Sequence, residues 1–256
     1  MSRRAWIVAL GLVVTATSSL SAQRGAGAAP QTPSSAREAA PIDLTGTWVS
    51  VVTEDWRWRM MTPAKGDYMG VPLTPQGRKA ADSWDLARDN AEGNQCRPFG
   101  VGNIMRVPGR VKIAWEDANT LRMDFDAGTQ TRLLRFGSSP QGAASWQGRS
   151  TATWEFTSGG RGAPAGASRT GDLKVTTTGM RAGYLRKNGV PYSDKMVFTE
   201  YFDRHSELGD EWFTVMAIAE DPTNLSEPFV VTTSFKREPD SSKWKPTPCE
   251  TSAPTR

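Results

Sequence analysis

The sequence predicts an all-β chain that closes on itself as an antiparallel up-and-down barrel of about 8 to 10 strands with one short helix. Residues 194–237 hold three β-prone runs, Met196–Asp203, Trp212–Ala219 and Phe229–Phe235, joined by short polar connections. That is the pattern of an antiparallel meander. Residues 111–136 hold three more, Val111–Trp115, Thr120–Phe125 and Thr129–Phe136, separated by the turns Glu116-Asp117-Ala118-Asn119 and Asp126-Ala127-Gly128, which is hairpin spacing. A long meander hides its edge groups best by closing. An open sandwich is the alternative.

The chain is 256 residues long, with 38% hydrophobic and 23% charged residues, ordinary for a globular protein. Residues 1–22 read as a signal peptide, with Arg3 and Arg4 before the apolar run Ala5–Ala16 and small residues up to Ala22. The apolar run is shorter than the ~20 residues a membrane span needs, so no stable membrane insertion is expected after its removal. Export to a periplasmic or extracellular space follows. Residues 23–41 are small, polar and unpatterned, a flexible leader. The formal net charge is +4, and +2 without Arg3 and Arg4. That charge is scattered, which argues against a nucleic-acid partner. The two cysteines, Cys96 and Cys249, are expected to form one disulfide in an oxidising compartment. It would tie the Pro-rich tail, residues 238–256, back to a barrel domain over residues 42–237.

Taken in order, the domain starts with the turn Thr45-Gly46. Gly46-Thr47-Trp48 has the Gly-x-Trp form that opens the first strand of lipocalin-like barrels, where the indole plugs one end. Residues 57–74 fit a second strand and a loop. Thr74 caps a helix that has Pro75 at its first position and runs to about Arg88 or Ala91. Ser145–Phe156 is a further strand, with Trp146 and Trp154 on one side. Residues 158–168 form a Gly/Ala/Arg loop, Leu173–Met180 resumes the sheet, and Tyr184–Ser193 leads to the final meander.

Several segments in this order, Cys96-Arg97-Pro98-Phe99-Gly100, Trp146-Gln147-Gly148-Arg149-Ser150, Trp154-Glu155, Gly171-Asp172-Leu173-Lys174-Val175, Glu200-Tyr201-Phe202, Glu220-Asp221-Pro222 and Cys249-Glu250, give the chain its family likeness. It resembles a large group of exported bacterial proteins without an assigned function. The chain departs from that pattern in the loop 157–170 and in Tyr192, which stands before Ser193 where the group tends to have His. The resemblance implies a fold and export, and no activity.

The residue inventory excludes several chemistries. One histidine, His205, and two distant cysteines make no metal site. No Gly-x-Ser-x-Gly elbow or complete dinucleotide loop is present, and nothing asks for a cofactor. Alternation with a period of two places Glu200 on the inward face with Phe198 and Phe202, and Tyr201, Asp203 and His205 on the other. A carboxylate among aromatic rings has a raised pKa through desolvation and can serve as a general acid or base. The plainer reading pairs Glu200 with an inward arginine, Arg122 or Arg132, and leaves His205 in an exposed turn.

Trp48, Trp115, Trp146, Trp154 and Trp212 are expected to line or plug the interior. Such walls suit a small hydrophobic or aromatic molecule, although an eight-strand barrel is narrow enough to be filled by its own side chains. Three functions therefore compete. One is a lipocalin-like binding protein that orients its ligand with Glu200 or an arginine. Another is a cofactor-independent isomerase, lyase or hydratase with Glu200, Tyr201 and His205 at its site. The third is an envelope structural protein with a filled core.

Overall fold

The alternation in the last third of the chain sets up the longest ladders of the molecule. The computed structural model describes residues 35–137, 141–157 and 170–254; the expected signal peptide, most of the leader and the loop 158–168 lie outside them. In chain order the elements are α1 (Ala36–Ala39), β1 (Gly46–Val51), α2 (Trp56–Arg59), α3 (Pro75–Asp82), α4 (Leu86–Ala91), β2 (Arg110–Asp117), β3 (Thr120–Phe125) and β4 (Gln130–Phe136). They continue with β5 (Arg149–Phe156), β6 (Gly171–Thr178), β7 (Gly183–Arg186), β8 (Val190–Tyr192), β9 (Val197–Glu207), β10 (Asp210–Glu220) and β11 (Phe229–Arg237).

Nine strands close a barrel in the order β1-β11-β10-β9-β6-β5-β4-β3-β2, while β7 and β8 form a separate hairpin. Every neighbouring pair in the ring is antiparallel except β4 and β5, which run parallel. Antiparallel neighbours alternate in direction, so a ring with an odd number of strands must contain a parallel contact. The expected antiparallel barrel is thus present, with one parallel contact in its ring.

The helical content is also divided differently. Residues 57–74 form no barrel strand; α2 and irregular chain take their place. The expected helix from Pro75 is broken at Ser83-Trp84-Asp85. Thr74 Oγ1 accepts from Gly77 N at 3.0 Å to start α3, and Asp85 Oδ1 accepts from Ala87 N at 2.9 Å to start α4. Each cap satisfies an orphan helix donor. Residues 35–40, read as leader, are tied to the barrel by Arg37 N donating to Ala118 O at 3.1 Å and by Trp154 Nε1 donating to Ala36 O at 2.8 Å.

Two apolar clusters fill the fold. One occupies the barrel around Trp48, Leu121, Met123, Phe202 and Phe213. The other, around Ala81, Val101, Met180, Leu185 and Phe198, packs α3 and the β7–β8 hairpin against one end. At β1, Trp48 is fully buried and its Nε1 donates to Leu44 O at 2.9 Å. Gly46 adopts φ +134°, and a Cβ there would meet the Arg237 guanidinium at 3.2 Å. That guanidinium lies over the Trp48 ring at 5.5 Å. The glycine therefore leaves room for an arginine lid on the indole plug.

Cys96 and Cys249 are bonded, closing a loop with a sequence separation of 153. The tail is further held by Thr247 N donating to Asp126 O at 2.8 Å and by Thr129 Oγ1 donating to Thr247 O at 2.8 Å.

Candidate functional site

Glu200 sits on the inward face of β9, flanked by Phe198 and Phe202, and is fully buried. Arg132 of β4 is equally buried and grips it, with Nη1 donating to Oε1 at 3.0 Å and Nη2 to Oε2 at 2.5 Å. Both carboxylate oxygens are engaged, so Glu200 has no free edge to offer a substrate. The plainer expectation for this residue holds, with Arg132 as its partner.

Arg122, the other candidate, lies on the outer face of β3. It donates to Asp124 at 2.8 Å and to Glu116 at 3.3 Å, with its side chain 44% exposed. The cause is the two-residue period: Leu121, Met123 and Phe125 own the inner face. Tyr201 and His205 point outward on β9. Lys174 Nζ lies 5.4 Å from the Tyr201 ring, and His205 Nδ1 is 3.7 Å from Asp203 Oδ2. The three residues considered for acid–base work are thus divided between the inside and the outside of the barrel. His205 also lies within β9, three positions before the tight turn at Leu208 and Gly209, both with positive φ.

The tryptophans divide as well. Trp212 faces outward, because Phe213 holds the inward position opposite Phe235 and Arg204. Trp146 precedes β5 and lies outside the barrel with the Arg181 guanidinium 3.9 Å from its ring. Gly148, at φ +62°, turns the chain between Trp146 and the strand. Trp48 is inside, where Phe213 meets it edge-on at 4.9 Å and stacks on Phe235 at 4.6 Å. These rings and the Arg132–Glu200 pair are packed in the barrel interior.

Trp115 and Trp154 are half-buried at the barrel mouth, where both approach Phe136, at 5.7 and 5.0 Å. Beside Trp115, the chain between α1 and β1 borders an open cleft of about 420 Å³ whose polar lining comes from Arg37, Asp43 and Thr45. A second cleft, of about 320 Å³, opens at the other end of β2 between Val107, Ala127 and the disulfide-held tail, with Lys187 in its wall. Sequence reasoning missed both, because each is assembled from segments far apart in the chain. Trp115 carries the one advance signal, an apolar ring at the end of an alternating strand.

Among the described residues no group of His, Cys, Asp and Glu is arranged to hold a metal ion, and no helix is long and apolar enough to cross a membrane. Comparison with protein families, curated proteins and solved structures gave no match.

Proposed function

We propose that this chain is an exported binding protein that takes a small hydrophobic or aromatic molecule at the mouth of its barrel, against Trp115. The observation that carries the reading is the cleft of about 420 Å³ beside that indole, a volume within the range of small-molecule sites. Trp115 continues into Phe136 and Trp154, which gives a flat ligand an aromatic wall. Arg37 and Asp43 at the rim provide the few polar groups that fix orientation. Export is supported by the disulfide and by the family resemblance.

The test uses 8-anilino-1-naphthalenesulfonate, a flat apolar probe with one anionic group. Its fluorescence on titration should report one site, and Trp115→Ala should weaken binding by ~10-fold or more. Trp146→Ala, on the outer surface, should leave binding unchanged. Equal affinities for the wild type and Trp115→Ala would overturn the assignment. A second reading, an envelope structural protein, rests on the packed interior and is favoured if the folded chain binds no probe. A role for Glu200 in acid–base turnover loses its footing, because both of its oxygens are held by Arg132.

A further inference from the structure

The cleft at the other end of β2 holds an unusual lysine. Lys187 lies in the turn between β7 and β8 and forms part of the cleft wall with Phe99, Val107, Pro108 and Pro248. Its Nζ donates to Arg59 O at 2.9 Å, and among the described residues no carboxylate lies within ion-pair distance of it. Lysines withdrawn from water are almost always paired. Lys187 is half-buried, and its ammonium rests on the main-chain carbonyl of Arg59, a residue of α2 that is 1% exposed and whose guanidinium is committed to Glu54 and to Arg106 O.

We infer that Lys187 is an imine-forming residue, whose Nζ captures the carbonyl carbon of a small aldehyde or ketone with an apolar body in this cleft. The site is separate from the mouth and does not depend on the function proposed there. Burial, and then the charge of Arg59, lower the pKa of Lys187, which enlarges the neutral, nucleophilic fraction of the amine. In the step itself the Nζ lone pair forms the C–N bond while the carbonyl π pair moves to oxygen. That oxygen takes up a proton. The adduct's nitrogen gives up one proton to reach the neutral hemiaminal, whose hydroxyl leaves as water on taking up a second proton while nitrogen releases its last, leaving the C=N bond. Glu250 lines the same cleft and is the group there that can pass the proton between nitrogen and the departing oxygen. The apolar walls favour a carbonyl compound with an aromatic or aliphatic body, and the disulfide that anchors the tail keeps those walls in place.

The experiment exposes the intact, disulfide-bonded chain to benzaldehyde and cyanoborohydride near neutral pH and locates benzyl groups by peptide mass mapping. Lys187 should be labelled several-fold faster than the exposed Lys65, Lys79 and Lys195, because a lowered pKa enlarges its free-amine fraction. Without the reductant the mass increment at Lys187 should disappear on dilution, as an imine requires. Labelling of Lys187 no faster than that of the three exposed lysines overturns the inference, and so does an increment that survives dilution without reductant. Because the comparison is made within the wild-type chain, no variant has to fold for the result to count.

Discussion

Arg132 and Glu200 face each other across the inside of the barrel, on strands separated in the ring by β5 and β6, and join through two hydrogen bonds with no exposed surface on either side chain. A pair of this kind is stabilising only while it is complete, because each charge lost its hydration on burial. Glu200→Gln should therefore destabilise the fold by ~3 to 5 kcal/mol in urea denaturation. The joint replacement Arg132→Met with Glu200→Leu should recover most of that loss. A neutral Glu200→Gln variant would show that water reaches the pair.

Reduction of Cys96–Cys249 frees the tail from the body. The closed loop of 153 residues corresponds to at most about 5 kcal/mol of chain-entropy stabilisation. The Cys96→Ser/Cys249→Ser chain should lose a large part of this in thermal or urea denaturation. Protease should then cut first within residues 245–250, where the tail's remaining hold is through Thr247.

Gly189 is required by its surroundings. Its φ is +80°, and a Cβ there would lie 2.2 Å from Cγ of Trp84, a buried ring. Gly189→Ala should cost ~2 kcal/mol or more, combining backbone strain with overpacking. Gly66, at φ +91° with nothing within 4 Å of the added atom, is the control. Gly66→Ala carries the backbone term alone and should cost less in the same urea titration.

Alkaline pH should act through Tyr184. Burial, and then its hydrogen bond to Asp89 at 2.7 Å, push its pKa up from 10.0 to about 12. The folded state thus holds this proton more tightly than the unfolded chain. Its contribution to stability is complete below about pH 10 and disappears as pH rises toward 12. The melting temperature should fall across that window, and Tyr184→Phe should make the fall shallower. An unchanged slope would show that this hydroxyl does not set the alkaline limit.

Much of the barrel is visible in the alternation of the chain, because a two-residue period ties each apolar side chain to one face. Phe198, Glu200 and Phe202 could be placed inside β9 on that basis, and so could Leu121 and Met123 in β3. The same rule excludes Arg122, expected as a possible inward partner but lying between Leu121 and Met123 on the outer face, and the structure selects Arg132 as the partner of Glu200. Trp212 illustrates the limit: β10 is apolar on both faces, so the phase of its alternation comes from its neighbours and not from its own sequence. Trp146 fails for a different reason, since a glycine turn separates it from the strand that the aromatic spacing suggested. Neither cleft is periodic in sequence. Lys187 gains its setting from α2, the turn before β2 and the C-terminal tail, which only the folded chain brings together.

The parallel contact gives the barrel a seam. β4 and β5 meet over three residue pairs, Leu134 with Ser150, Arg135 with Thr151 and Phe136 with Ala152, against eleven between β9 and β10. Arg132 belongs to the strand on one side of that join, and Glu200 to the sheet on the other. Their bond is a rivet across the shortest ladder of the cylinder. Loss of either partner should let amide hydrogens along β4 and β5 exchange well before those of β9 and β10, so the barrel would begin to unfold by unzipping at this line.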